Sequence, residues 1–249
     1  MKTRLLLAVL AVVVTPVIAL AQAQAPVADS MQSWVGKRLI LLGYGGYSDS
    51  ELKKADLSKP PTTCSTAVEI LGVSHSGRDL RFNIESIGSV QLAPRLGTSM
   101  VCPSFDKKAL KISGVTSTDL EPGLDALVGR LLMTPEAFLA AHGAPFERPF
   151  APVGEGFGGQ NAIPAQALLT VTAGYSGEGR KSRIKGTVEA LMTIGSDGRV
   201  HSLQIRKPLG SGLDEQVLRV LPMWRFDPAL VNGTPVATRV NIQMNFSLR

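Results

Sequence analysis

The end of the chain holds the pattern that most restricts its possible folds. Across residues 236–248, apolar residues or threonine alternate with mostly polar residues without interruption. A period of two predicts a single β-strand with one buried face and one solvated face. A strand of this length extends roughly 44 Å at about 3.4 Å per residue. It is longer than the strands predicted beside it, so we expect part of its backbone to stay unpaired.

Two shorter strands and a helix are predicted just before this segment. Residues 187–194 and 199–207 show strand patterns, and the Gly-Ser-Asp-Gly sequence at 195–198 is typical of a hairpin turn. Residues 213–224 change to a helical period, with Asp214 predicted as the N-cap. The order β-β-α-β predicts an antiparallel sheet with one helix packed across a face.

The sequence WRFDPALVNGTPV joins the helix to the last strand. Trp224 and Phe226 are predicted structural anchors that hold the end of the helix on the sheet. Arg225, between them, is predicted to point outward or to cap carbonyl groups at the helix C-terminus, where a cation is favoured. Asn232 and Gly233 favour a tight turn, which directs the chain into the last strand.

Three stretches of this region resemble the C-terminal domain of TonB energy transducers. They read GTVEALMTIGSDGRV, GLDEQVLRVLPMWRFDPA and NGTPVATRVNIQMNFSL, in the family's order and spacing, within residues 165–249. The resemblance implies a binding module that recognises an outer-membrane transporter by pairing its last strand with an extended segment of that transporter. The implied partner-binding edge strand comprises Val236, Thr238, Arg239, Val240, Asn241, Ile242, Gln243, Met244 and Asn245.

Other uses of this strand stay open. A second copy of the chain could pair with the same edge and form a homodimer, or the N-terminal part could cover it, since exposed edges are usually protected. The chain also departs from the TonB family. A transducer's membrane helix carries a functional histidine, whereas the first histidine here is His75, and the Pro-rich spacer is short. These departures favour a binding role over force transduction.

The N-terminus has the pattern of a cleavable secretory signal. Lys2 and Arg4 precede an apolar run at 5–20, and small-x-small sites follow between 19 and 25. We expect residues 1–21 to form the signal, with cleavage between 21 and 25, and the mature protein to lie in the periplasm. If the run is retained, it is an inner-membrane anchor, and the protein is an energy transducer for TonB-dependent transport. A membrane association is expected only in that case.

The fold class predicted for the whole chain is α+β, with two domains. Residues 31–147 are predicted to form a β-rich domain of unknown role with one or two helices. Residues 148–164 form a Gly/Pro linker, and residues 165–249 form the TonB-like domain. Thr134 and Pro135 are the residue types of a helix cap and first turn. In the first domain, strands are predicted at 38–44, 66–73, 80–87, near 100 and at 110–112, and helices at 124–131 and 134–142.

The two cysteines, Cys64 and Cys102, are predicted to form a disulfide. Export places them in an oxidising compartment, where pairing is the usual outcome. Two free buried thiols are the alternative, and their spacing is unlike that of a C-x-x-C redox pair.

Composition and residue spacing argue against several classes of function. The formal net charge is +6 without a Lys/Arg block, and only 5% of residues are aromatic, so no nucleic-acid surface is predicted. His75, His142 and His201 are far apart and do not have metal-ligand spacing. Ser176 lacks the second glycine of a nucleophile elbow in register. No catalytic residue, metal or cofactor is predicted, and the protein is not expected to be an enzyme.

The sequence therefore predicts an exported periplasmic adaptor that binds an envelope protein by strand addition, an outer-membrane transporter being the partner that the resemblance implies. The alternatives are the membrane-anchored transducer described above and a structural envelope protein that forms a homodimer through its last strand.

Overall fold

A computed structural model describes residues 31–42, 65–76, 78–92, 108–113, 129, 132–143 and 162–248. Over these residues the fold is α+β and mostly antiparallel sheet, as predicted. The strands are β1 Arg38–Leu41, β2 Thr66–Ser76, β3 Asp79–Leu92, β4 Lys108–Ser113, β5 Leu132–Met133, β6 Ala162–Ile163, β7 Gln166–Ala173, β8 Gly186–Ile194, β9 Val200–Lys207, β10 Arg225–Asp227, β11 Ala229–Val231, β12 Thr234–Val236 and β13 Thr238–Phe246. The helices are α1 Pro135–His142, α2 Gly177–Lys181 and α3 Leu213–Val220, which a 3₁₀ turn at Leu221–Met223 extends.

The first sheet joins the two halves of the chain. Its order is β10-β7-β3-β2-β1-β5, and β4 also pairs with β3. The long strand β3 pairs with β4 over residues 79–84 and with β7 over residues 88–92. Strand β7 belongs to the region predicted as the second domain, so the sheet runs across the predicted boundary. The division into two domains stays a prediction from the sequence.

Alternate residues of the first sheet face two different cores. In β1, Ile40 faces the main core while Leu39 and Leu41 face the other side, as the period of a strand requires. The second core consists of Trp34, Leu39, Leu41, Val68, Ile70, Leu80, Phe82, Ile84, Leu110 and Leu132.

Helix α3 lies in the main core together with residues of two sheets. The second sheet has the order β12-β11-β6, and the third sheet has the order β13-β8-β9. Helix α3 contacts β7 and β3 of the first sheet and β8 of the third. The buried members of the main core are Ile40, Ala67, Ile87, Phe138, Leu169, Val171, Val188, Ala190, Met192, Ile194, Leu213, Val217, Val220, Leu221, Met223, Phe226, Met244 and Phe246.

One helix start agrees with the sequence and the other does not. Helix α1 begins as predicted, because the Thr134 hydroxyl accepts from the Ala137 N–H and Pro135 occupies the first turn. The prediction that Asp214 is the N-cap of α3 is wrong, since Gly212 holds that position. The Asp214 carboxylate instead accepts from two N–H groups of the preceding loop, those of Leu209 and Gly210.

The conformation of the chain just before α3 explains why Asp214 is not the N-cap. Residues 210–212 all have positive φ angles, and the helix begins directly after them at Leu213, which is earlier than an N-cap at Asp214 would allow. Asp214 therefore lies inside the first turn, from which its side chain reaches back to the loop.

The prediction of one strand over residues 236–248 is also wrong. Asn232 and Gly233 have φ angles of 51° and 79°, which suit a two-residue hairpin turn, and they fold β12 onto β11. Strand β13 starts at Thr238 and pairs with β8 in a different sheet. The alternating pattern continues through Ala237, but the pairing partner changes there.

Several predictions concern residues outside the described ranges. These are the signal at 1–21, the disulfide of Cys64 and Cys102, the strand near residue 100, nearly all of the helix at 124–131, and most of the linker. Within the described ranges, no helix is both long and apolar enough to cross a membrane.

Candidate partner-binding edge

Strand β13 pairs on one side with β8 and forms an edge of the third sheet. The pairing covers nine consecutive residue pairs, from Thr238 with Ile194 to Phe246 with Gly186, and has no register shift. Among the described strands, none pairs with the other side of β13. In an antiparallel edge strand, every second residue directs its N–H and C=O away from the neighbouring strand. Strand β13 therefore presents a straight row of backbone donors and acceptors.

The side chains of β13 divide between a core face and a solvent face. On the core face, Met244 and Phe246 are buried, whereas Val240 and Ile242 pack on the main core but stay partly exposed. The side chains on the solvent face are exposed, and they are Arg239, Asn241, Gln243 and Asn245. The strand is thus held firmly at its C-terminal end and is less covered toward its start.

The opposite edge of the same sheet is less suited to pairing. Strand β9 pairs with β8 through two register shifts, next to Ala190 and next to Ile194. Its exposed side chains include Arg206 and Lys207. Bulges and edge charges hinder the addition of another strand. The regular edge of the third sheet is therefore β13.

A ring contact supports the C-terminal end of β13. The rings of Tyr175 and Phe246 meet edge to face with centroids 5.3 Å apart. The Tyr175 hydroxyl donates to the Ile184 carbonyl at 3.0 Å. Burial raises the pKa of Tyr175, so it remains a neutral donor near neutral pH.

The predicted anchors lie where α3 passes into β10. The indole N–H of Trp224 donates to the Val171 carbonyl of β7 at 2.9 Å, and Phe226 is buried. Arg225 donates through Nη1 to the Pro222 and Trp224 carbonyls at 2.8 and 2.7 Å. The guanidinium therefore satisfies carbonyls left free at the helix end.

The carboxylate of Glu136, which was not predicted from the sequence, completes the contacts of Arg225. Glu136 of α1 accepts from Nε and Nη2 of Arg225 and lies 2.8 Å from Nη2 of Arg199. Burial alone would raise the pKa of Glu136, but a backbone N–H and the two arginines outweigh it and hold this pKa below its usual value. No local signal links Glu136 to Arg225, because 89 positions separate them.

A second charged cluster fastens α3 to the first sheet. Glu69 and Glu85 are direct cross-strand neighbours on β2 and β3. Arg219 of α3 bridges them, with Nε 2.9 Å from Glu69 Oε2 and Nη2 2.6 Å from Glu85 Oε2. Burial lowers the pKa of Arg219, but the two carboxylates outweigh this and raise it overall. The cluster fixes the helix that contacts β8, the strand with which β13 pairs.

The residues considered for catalysis are spread over the fold. His75 is the next-to-last residue of β2, His142 ends α1, and His201 lies in β9. Ser176 caps α2, since its Oγ accepts from the Gly179 N–H and donates to the Ser211 carbonyl. In the hairpin turn, Asp197 accepts from the Arg199 N–H and contacts His201, and these contacts lower the pKa of Asp197.

These features define a class of structure: a small antiparallel sheet that packs against a helix and has a regular final strand at its edge, which among the described strands pairs with β8 alone. The family model for the Gram-negative bacterial TonB protein C-terminal matches residues 173–248. Residues 173–248 are therefore a TonB C-terminal domain, which confirms the family resemblance.

Two curated relatives match the same region. Protein TonB of Vibrio cholerae serotype O1 is 31% identical over 86 residues, which are 34% of this chain and 35% of the relative. Protein TonB of Pseudomonas aeruginosa is 33% identical over 66 residues, which are 26% of this chain and 19% of the relative. The chain thus covers only a minor part of each relative. Strands β1 to β6, helix α1 and all of β7 except Ala173 lie outside the family match.

Proposed function

We propose that this protein is an envelope adaptor that binds an extended segment of an outer-membrane transporter at the free edge of β13. The observation that carries the proposal is the uninterrupted nine-residue pairing of β13 with β8 on one side, while no strand of the described part of the chain pairs with its other side. Addition of a strand to such an edge supplies main-chain hydrogen bonds without a deep pocket. The TonB C-terminal match supports a transporter as the partner.

The side chains of β13 indicate what the partner segment needs. Val240 and Ile242 face the core but are only partly buried, so apolar side chains at alternate positions of an added strand would cover them. On the solvent face, Asn241 and Gln243 offer amide donors and acceptors. The matching segment is therefore an extended peptide with apolar and polar residues in alternation.

We also propose a periplasmic location, which follows from the secretory pattern at the N-terminus and from the TonB match. The alternative is retention of the N-terminal run as an inner-membrane anchor. The intact mass of the native protein distinguishes the two. A soluble form that lacks about the first 21–25 residues supports the free adaptor, and a full-length form in the inner membrane supports the anchored transducer.

The binding test uses the isotope-labelled protein and synthetic peptides that copy the periplasmic ends of outer-membrane transporters from the same bacterium. We expect alternate amides of β13 to gain protection from hydrogen exchange when a binding peptide is added. The matched control is the same peptide with prolines at alternate positions, which cannot donate to the ladder. Protection that is absent, or that appears along β9 instead, would contradict the proposal.

Homodimerisation through the same edge is the competing interpretation. Light scattering on the purified protein measures its mass in solution. A dimer that persists at micromolar concentration and excludes the peptides would favour the structural role. A monomer, or a dimer that the peptides dissociate, would favour the adaptor.

A further inference from the structure

One end of the third sheet carries a dense group of exposed cations. We call this group the basic pole, and its members are Arg180, Lys181, Arg183, Lys185, Arg206 and Lys207, all of them exposed. The first four lie in α2 and the loop after it, and the last two end β9. The two segments are distant in sequence but lie at the same end of the sheet.

Three close approaches bring these segments together. Ser176 Oγ donates to the Ser211 carbonyl at 2.5 Å, which ties the start of α2 to the loop after β9. A Cβ on Gly179 would lie 2.8 Å from Leu213, and one on Gly186 would lie 2.7 Å from Leu209. The contact between Tyr175 and Phe246 places the end of β13 in the same region.

Nearby carboxylates offset only part of this charge. Residues 175–189 and 204–214 contain six cations and three carboxylates, a net formal charge of +3 (6 − 3). Glu189 lies 3.6 Å from Lys207, and the Asp214 carboxylate accepts backbone N–H groups. The remaining acidic residue, Glu178, lies in the first turn of α2. The pole is therefore an exposed surface of net positive charge.

The shape and composition of the pole favour a broad anionic surface as its partner. Its six exposed cations are spread over a helix, a loop and a strand end, a distribution that suits a broad surface better than a single small anion. The one aromatic residue in these two segments is Tyr175, whose ring packs on Phe246, so there is no platform for stacked bases. We propose that the basic pole binds the surface of a bilayer that contains anionic phospholipids.

This contact is compatible with a free β13 edge. Because Phe246 pairs with Gly186, the pole lies at the ends of the strands and not along the side of the sheet. A membrane at the pole leaves the row of unpaired groups on β13 open to a partner. The inference goes beyond the proposed strand pairing and does not depend on it.

The test measures binding of the native protein, purified from its own cells, to two kinds of vesicle. One kind is pure phosphatidylcholine, and the other contains about 30% phosphatidylglycerol. The pole variant is Lys181→Gln/Lys185→Gln/Arg206→Gln. Each cation near an anionic surface contributes about a fivefold change in binding, and we expect the pole variant to lose at least tenfold on the anionic vesicles. The electrostatic contact should also weaken as salt is raised.

The matched control removes three exposed cations near the hairpin of β2 and β3, at the end of β3 away from β7: Arg78→Gln/Arg81→Gln/Lys111→Gln. We expect it to change binding by less than threefold. An equal loss in both triple variants would mean that only net charge matters and would overturn the proposal. So would equal binding of the wild type to both vesicles, or tighter binding of a 20-base-pair DNA duplex than of the anionic vesicles. Peptide binding to β13, measured on the same variants, reports separately on the proposed function.

Discussion

Arg219 shows how one side chain of the TonB C-terminal domain depends on residues far away in the chain. Glu69 and Glu85 face each other across two strands, an arrangement that is unfavourable for like charges. The guanidinium between them removes this repulsion and is itself largely buried, with 18% of its side chain exposed.

We predict that Arg219→Met destabilises the protein by about 2–4 kcal/mol, because it leaves two carboxylates without their shared cation. Urea unfolding followed by circular dichroism measures the loss. Arg239→Met, at an exposed position of β13, is the control and should change stability by less than about 0.5 kcal/mol. In a double-mutant cycle, Glu85→Gln should recover part of the loss. A purely additive cycle would show that the ion pair makes no contribution.

Gly198 is confined by its own conformation and by a neighbouring strand. Its φ angle is +73°, and a Cβ there would lie 2.1 Å from the Phe226 carbonyl oxygen. The Gly198 carbonyl also accepts from the Phe226 N–H at 2.9 Å. The hairpin turn thus packs directly against β10.

We predict that Gly198→Ala lowers the free energy of unfolding by about 3 kcal/mol or more, because alanine is strained in the left-handed backbone conformation and its Cβ also clashes. Gly210→Ala is the matched control, because Gly210 has a φ angle of +79° but nothing within 4 Å of an added Cβ. Gly210→Ala should lower the free energy of unfolding by only about 1 kcal/mol. Thermal unfolding of both variants gives the difference, and equal losses would exclude the clash.

Glu136 makes the stability of the protein depend on pH. Its pKa is lowered in the folded protein, so its contribution is present above the unfolded pKa of about 4.3 and is lost as pH falls through the folded value. We predict that Glu136→Gln lowers the free energy of unfolding by about 1 kcal/mol at pH 7. The loss is modest because the carboxylate is partly exposed. The two proteins should converge in stability below the folded pKa. Urea titrations at pH 7 and pH 3 test this, and a difference that is the same at both pH values would contradict it.

At the scale of elements, β13 has a regular backbone edge, and one of its faces packs on the main core. Its core face contributes Met244 and Phe246 to the main core, and Phe246 also contacts the Tyr175 ring. Its solvent face carries only polar side chains. The element is held in the sheet by its pairing with β8, and no other strand of the described residues pairs with its second side.

We predict that Val240→Pro abolishes peptide binding and weakens the sheet, since proline removes a backbone donor and distorts the strand. Arg239→Glu should keep stability within about 0.5 kcal/mol and shift peptide preference from acidic toward basic sequences. Calorimetric titration with a pair of peptides of opposite charge measures both effects. Full binding by folded Val240→Pro would rule out strand addition at this position.

Prediction from sequence succeeded for elements whose signals are local. The hairpin of β8 and β9, the helix α3 and the cap of α1 all follow from residues within a few positions of one another. The break at Ala237 was missed because the period of two is the same on both sides of it, and periodicity does not report which strand is the partner. The N-cap of α3 was missed because the helix already begins at Leu213, after three residues with positive φ angles, and Gly212 therefore holds the cap position.

For the molecule as a whole, the first sheet and α3 couple the TonB C-terminal domain to the N-terminal strands. Strand β7 pairs with β3, and α3 is packed against the same strands. The two tryptophans report on different parts of this structure, because Trp34 lies in the second core and Trp224 packs on the main core.

We predict that the two parts unfold together. In Trp34→Phe the remaining fluorescence comes from Trp224, and in Trp224→Phe it comes from Trp34. Within each variant, the fluorescence and circular dichroism transitions in urea should coincide, as a two-state unit requires. If the Trp34 signal changes at a different urea concentration from the circular dichroism signal, the two predicted domains are independently stable.

The amino-acid sequence by itself determined the local elements of the C-terminal region, the turn at Asn232 and Gly233, and the resemblance to TonB domains. These features are encoded by periodicity and by turn chemistry over short distances. Tertiary structure alone decided that β7 completes a sheet with β3 and that Arg219 meets Glu69 and Glu85, 150 and 134 positions away. Contacts at such separations produce no periodic pattern in the sequence, because they depend on which surfaces the folded elements bury against each other.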